Sequence, residues 1–194
     1  AKVREAEAVA GKSAYESYLV ARIKGQASSL AGEPAVAAEA FEAALNSPAI
    51  PAADRLPLMA AAAGQYYSAK SYAKAAEACA RYFKEGGNDP AIRTLQVQSY
   101  YFAGDLARTA REIQADIQST EREGKTPAEQ SLQILADVSN RQKDTATFIA
   151  TMEKLVSHYP KADYWANLVY AVTTKPGLSQ QLALDVLRVK LATH

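Results

Sequence analysis

The chain has 194 residues, and its 22 basic and 21 acidic side chains leave a formal net charge of +1. Both signs are spread along it, so the basic stripe that nucleic acid or an anionic membrane surface requires is missing. A single cysteine excludes an internal disulfide and a cysteine zinc cage, and no apolar run is long enough to insert in a membrane.

In chain order, Ala1 to Ala10 read as a partial helix, with Val3, Ala6 and Ala10 on one side. Paired helices are then predicted at 13–31 with 34–46, 55–69 with 72–86, 90–103 with 105–123, 127–141 with 144–159, and 162–174 with 178–193, about eleven in all. Alanine, at roughly a fifth of all positions, favours helix throughout. Pro34, Asp89-Pro90, Thr126-Pro127 followed by Glu129, and Pro160 close one unit and open the next. Gly86-Gly87-Asn88 supplies a left-handed stop, and Asn46 to Asp54, with Pro48 and Pro51, is the longest predicted connection. Both ends read as cut from a longer array.

The pairs repeat. A small or apolar residue at mid-helix recurs twelve positions later across a turn, as Gly25 with Ala37, Ala63 with Ala75, Val97 with Thr109 and Ala136 with Phe148. The turn centres Gly32, Lys70, Gly104 and Lys143 are spaced by 38, 34 and 39 residues, the range of helical-hairpin arrays. Isolated helices of this length are marginal in water, so packing must hold them. The predicted inner faces are Met59, Ala62, Ala63, Tyr66 against Tyr72, Ala75, Ala76, Cys79, Tyr82, Phe83; Leu95, Val97, Tyr100 against Leu106, Ala110, Ile113, Ile117; and Leu132, Leu135, Ala136 against Phe148, Met152, Leu155.

These residues resemble the tetratricopeptide repeat (TPR) motif. Gly25, Ala37, Phe41, Ala44 and Pro48 carry it in the first complete unit, and Ala63, Tyr66 and Ala75 in the second. Tyr100, Gly104, Asp105 and Leu106 carry it in the third, Leu135, Ala136 and Pro160 in the fourth, and Trp165 and Leu168 in the fifth. Each copy departs from the pattern somewhere: Cys79 stands where phenylalanine is usual, Val97 and Thr109 occupy the small sites, and Phe148 fills the second small site of the fourth unit. The resemblance implies an all-α, right-handed α-solenoid of antiparallel helical hairpins, with residues 1–194 forming a single repeat domain.

It also implies a concave groove lined by the first helix of each unit. Carried over by position, the groove residues are Arg22 and Gln26, then Tyr67, then Gln98, Tyr101 and Phe102, then Gln133, Asp137, Asn140 and Arg141, and finally Asn167 and Tyr170. Tyrosines and amides combine apolar area with hydrogen-bonding tips, which suits a protein or peptide partner. The plainer alternative is that Tyr67, Tyr101 and Phe102 pack between units while the polar residues are simply solvated. The basic clamp with which some relatives grip a terminal carboxylate is replaced here by Ala60, Ala61, Gly64, Thr94, Leu95 and Gln98.

Little points to catalysis or to a cofactor. His158 stands at a helix end, His194 is the last residue, and Cys79 lies on an inward face. The leading expectation is a non-catalytic scaffold that binds protein or peptide. The alternatives are a structural or self-associating segment of a larger bacterial envelope protein, and an accessory domain of an enzyme whose catalytic part lies elsewhere. Residues 155–160, followed by Tyr164-Trp165, are similar to exported bacterial repeat proteins and imply a periplasmic setting.

Overall fold

A computed structural model describes residues 2–174, 185 and 187–189. Its helices are α1 (Lys2–Ala8), α2 (Ala14–Leu30), α3 (Pro34–Leu45), α4 (Ala52–Ser68), α5 (Tyr72–Lys84), α6 (Pro90–Ala103), α7 (Leu106–Arg122), α8 (Glu129–Arg141), α9 (Thr145–His158) and α10 (Ala162–Thr174). The helix predicted at 178–193 lies outside the described residues except at 185 and 187–189, which are helical. The chain divides into two compact units, Ala1–Asp105 and Leu106–His194.

Three of the helices begin where a side chain holds an otherwise unpaired backbone amide. Ser13 and Glu16 open α2 as a capping box: the Ser13 hydroxyl accepts from the Glu16 amide at 3.2 Å, and the Ser13 amide donates to Glu16 Oε2 at 2.8 Å. Asp89 accepts from the Ala91 amide at 2.8 Å with Pro90 at the first helical position of α6, and Asp144 accepts from the Thr147 amide at 3.1 Å to open α9.

Two starts differ from the sequence reading by more than one residue. Helix α4 begins at Ala52 instead of residue 55, with Pro51 at its N-cap and Pro57 inside it. Asp54 does not act as the cap, because its carboxylate is bonded to Arg22 and Tyr18 of α2. Helix α8 begins at Glu129 instead of 127, with Ala128 as its extended N-cap. Pro127 is buried, and its carbonyl accepts the Tyr159 hydroxyl at 2.9 Å.

The turn centres that set the repeat share one backbone state. Gly32, Lys70, Gly104 and Lys143 are all left-handed, with φ of 73°, 58°, 79° and 59°. Each closes the same pair of bonds, in which the following residue's amide reaches back to the last turn: Glu33 to Ser28, Ser71 to Tyr66, Asp105 to Tyr100 and Asp144 to Ser139, all at 2.9 Å. Gly86, at φ 91°, ends α5 as the sequence predicts, and the Gly87 amide donates to the Tyr82 carbonyl at 3.0 Å.

Within unit 1 successive helices pack in order from α1 to α6, and α4 also touches α6. Its core runs from Tyr18 through Ala37, Ala38, Phe41 and Ala44 to Leu58, Met59, Ala62, Ala63, Tyr66, Ala75, Ala78, Cys79, Tyr82 and Ile92. The predicted inner faces of α4 and α5 hold, with Tyr72 and Phe83 only half-buried. Helix α6 corrects the prediction: its buried face is Ile92, Gln96, Ser99 and Tyr100, while Leu95 and Val97 are half-buried. Its two polar members are satisfied locally, Gln96 Nε2 donating to the Tyr100 hydroxyl at 3.3 Å and the Ser99 hydroxyl to the Leu95 carbonyl at 2.6 Å. Apolar counting alone could not have found that face.

Within unit 2, α7 packs on α8, α8 on α9, and α9 on α10. The buried side chains are Thr109, Ile113 and Ile117; Leu132, Leu135, Ala136, Val138 and Ser139; Ile149, Thr151, Met152, Leu155 and Val156; and Trp165, Leu168, Ala171 and Val172.

Candidate functional site

Polar rungs tie several helices to their counterparts one repeat away. In unit 1, Arg22 Nη1 lies 2.8 Å from Asp54 Oδ2 and 3.0 Å from the Tyr18 hydroxyl, and the hydroxyl donates to the same carboxylate. The hydrogen bond with Tyr18 holds the Arg22 guanidinium above its ordinary pKa, while burial pushes the Tyr18 phenol up. Gln65 Nε2 donates to the Ser29 hydroxyl at 2.9 Å, again joining α2 to α4. On the second helices Arg81 of α5 pairs with Glu42 of α3.

The groove residues of unit 1 therefore fall into two sorts. Arg22 is engaged between two helices, and Gln26 is exposed. Tyr67, Tyr101 and Phe102 share an aromatic cluster with Tyr72, which the sequence reading had placed on an inner face. Tyr72 stacks on Phe102 at 5.1 Å between centroids, Tyr67 stands edge-on to Tyr72 at 5.4 Å and to Phe102 at 6.2 Å, and Tyr101 meets Phe102 at 5.4 Å. Phe102 remains 52% exposed. Gln98 is half-buried on α6.

Unit 2 gathers its groove residues around a cleft of about 260 Å³. Gln133, Asp137 and Asn140 of α8 form one wall and Asn167 of α10 another, over Phe148, Met152 and Leu155 of α9. Tyr164, which the sequence reading left unassigned, joins the walls: its hydroxyl bonds both Gln133 and Glu129. Lys161 Nζ lies 2.6 Å from Glu129 Oε1, and this bond, followed by that of Tyr164, keeps the Glu129 carboxyl below its ordinary range. Arg141 lies outside the cleft lining, with Nη1 3.5 Å from Asp137 Oδ2. Tyr170 is 65% exposed on α10 and does not line the cleft.

The apolar floor was the part the groove assignment missed. Phe148, Met152 and Leu155 stand in the sequence reading on the inner face of the fourth unit, with Phe148 at a position where the motif has a small residue.

Cys79 is fully buried and burial pushes its thiol up to about 11, so the thiolate that attacks substrates or binds metals is scarce at neutral pH. His158 closes α9, its ring 6.4 Å from that of Tyr159. No group of three or more His, Cys, Asp or Glu among the described residues is placed to hold a metal ion. No helix among the described residues is long and apolar enough to cross a membrane.

No family model matches the chain, and no curated protein does. Solved structures do. MamA 41-end from Desulfovibrio magneticus RS-1 superposes with a TM-score of 0.57 at 11% identity, covering 91% of this chain and 96% of that one. A second MamA crystal structure gives 0.59 at 11% identity, over 91% of this chain and 89% of that one. YrrB, described as a TPR protein with an unusual peptide-binding site, gives 0.56 at 12% identity, over 99% of this chain and 92% of that one. At such identities the likeness is one of fold: the chain is all-α and TPR-like.

Proposed function

We propose that this protein is a non-catalytic scaffold that binds a protein or peptide segment on the first-helix side of its hairpins. The observation that carries this reading is the α8–α10 cleft, in which polar side chains of α8 and α10 rim a partly apolar floor. Arg22, Gln26, Tyr67, Gln98, Tyr101 and Phe102 of unit 1, with Arg141 and Tyr170 of unit 2, are proposed as further contact positions. YrrB, of like fold, is described as having an unusual peptide-binding site. A periplasmic bacterial setting belongs to the same reading, supported by residues 155–160 and Tyr164-Trp165, and cell fractionation tests it.

The test is selection of displayed peptides on the full chain, followed by titration of the enriched peptides against the triple variant Gln133→Ala, Asn140→Ala, Asn167→Ala. Binding to the native chain that falls at least tenfold in the variant supports the reading. Failure to enrich any peptide, or unchanged affinity, rejects it.

A second reading, self-association, draws on Tyr15, Ile23 and Leu30 of α2, which are 51%, 51% and 91% exposed. Sedimentation velocity over a range of concentrations decides it, since a single monomeric species throughout is incompatible with it.

A further inference from the structure

The cleft in unit 2 lies at a hairpin crossing that is not filled by small residues. At the crossing of α4 and α5, Ala63 and Ala75 are both 0% exposed. Small side chains there let two helix axes approach to about 8–10 Å. The corresponding pair in α8 and α9 is Ala136 and Phe148, and both line the cleft. A phenyl ring is too large for such a crossing, so Phe148 stays half-buried and forms part of the cleft floor beside Met152.

The volume and the charge of the cleft define what fits. At about 260 Å³ the cleft lies at the lower edge of the roughly 300–1,000 Å³ usual for ligand sites and has room for an anchoring side chain. Asp137 is the one charged residue in the lining. The other polar groups there are amides and a phenol, which donate and accept alike and impose no preference for charge. Lys161, just before α10, lies 2.6 Å from Glu129 Oε1, and Arg141 Nη1 lies 3.5 Å from Asp137 Oδ2.

We propose that the cleft anchors one leucine- or methionine-sized side chain of a peptide segment on Phe148 and Met152, while a lysine or arginine of the same segment pairs with Asp137. This deepens, and rests on, the reading of the cleft as a peptide site. The incoming cation competes with Arg141 for the carboxylate, so Arg141 tunes affinity from outside the pocket.

The experiment titrates the full chain with N-acetylated, C-amidated fluorescent peptides that share Gly-Ser flanks and differ only at a central Leu-Lys, Leu-Gln, Leu-Glu or Ala-Lys. Leu-Lys is expected to bind best and Leu-Glu worst among the leucine peptides, with Ala-Lys weaker than Leu-Lys by about tenfold because the anchor is lost. Asp137→Asn brings Leu-Lys down roughly two- to five-fold to the level of Leu-Gln, and Arg141→Gln strengthens Leu-Lys. Both substitutions lie on the exposed side of α8 and leave the core untouched. Equal affinity for Leu-Lys and Leu-Glu, or indifference to Asp137→Asn, overturns the proposal while the peptide-site reading stands. If none of the four binds, that reading fails with it.

Discussion

Gly25 lies against the ring of Phe41: a Cβ at residue 25 would fall 2.4 Å from Cδ1 and 2.5 Å from Cε1. Phe41 is only 4% exposed, so its ring cannot swing out to solvent. Gly25→Ala gains about 1 kcal/mol of helix propensity but overpacks the crossing of α2 and α3. Net destabilisation of about 1–2 kcal/mol in urea unfolding is expected, partly recovered by adding Phe41→Leu. Ala63→Trp, at the equally closed α4–α5 crossing, is expected to cost more than Gly25→Ala. Unchanged midpoints for both would show that the crossings are looser than the structure has them.

Lys70 and Lys143 hold left-handed backbone that a side chain disfavours by roughly 1–2 kcal/mol, and Gly32 and Gly104 occupy the same place without that penalty. Lys70→Gly and Lys143→Gly are each expected to stabilise their unit by about 0.5–1 kcal/mol, after allowing for the greater freedom of glycine in the unfolded chain. Gly104→Ala should shift stability the other way by a similar amount. Thermal unfolding of the three variants reads the signs directly.

Acid should weaken this protein through specific carboxylates. Asp144 is kept below its ordinary 3.8 by its bonds to Thr147, and Glu16, Glu85 and Glu129 below 4.5 by Ser13, Arg55 and Lys161 respectively. A carboxyl whose folded pKa is lowered contributes stability that is complete above its unfolded value and disappears as pH falls through the folded one. Melting temperature is therefore expected to be flat between pH 7 and about 5.5 with respect to these groups and to drop below about 4.5. Asp144→Asn, which keeps a capping oxygen but cannot titrate, should make that drop shallower, and an identical profile would remove Asp144 from the explanation.

Tyr72 and Phe102 stack at 5.1 Å with an interplanar angle of 29°. A double-mutant cycle with Tyr72→Ala and Phe102→Ala should return a coupling of about 0.5–1.5 kcal/mol in unfolding free energy. Additive effects would mean that the rings are neighbours without mutual stabilisation, leaving Phe102 available as a contact surface.

Much of the fold was legible one residue at a time. The alanine-rich inner faces of α4 and α5 declared themselves because alanine both favours helix and permits close approach, and the Gly86 stop because glycine alone is at ease in left-handed backbone. The positions of Lys70 and Lys143 emerged only from register, since lysine carries no preference for that conformation. The sequence reading began α4 at residue 55, and no local rule shows that the Asp54 carboxylate is bonded to Arg22, thirty-two positions earlier in the chain. Gln96 and Ser99 were passed over as inner-face residues of α6 for a different reason: they are polar, and the bonds that allow their burial, to Tyr100 and to the Leu95 carbonyl, form only once the helix does.

The candidate site divides in the same way. Gln133, Asp137, Asn140 and Asn167 could be assigned to a groove because the TPR resemblance carries those positions over by register. Phe148 could be recognised as a departure from the small-residue pattern. That the departure opens a cleft, that Tyr164 bonds across its rim, and that Asp137 is its one charge depend on how α8, α9 and α10 lie against one another. The sequence by itself determined the helices, their turns and their repeat, because these follow from the local preferences of each residue and its near neighbours. The tertiary structure alone decided which polar groups are consumed in holding helices together and which remain to face a partner, because that choice is made by contacts between residues a full repeat apart.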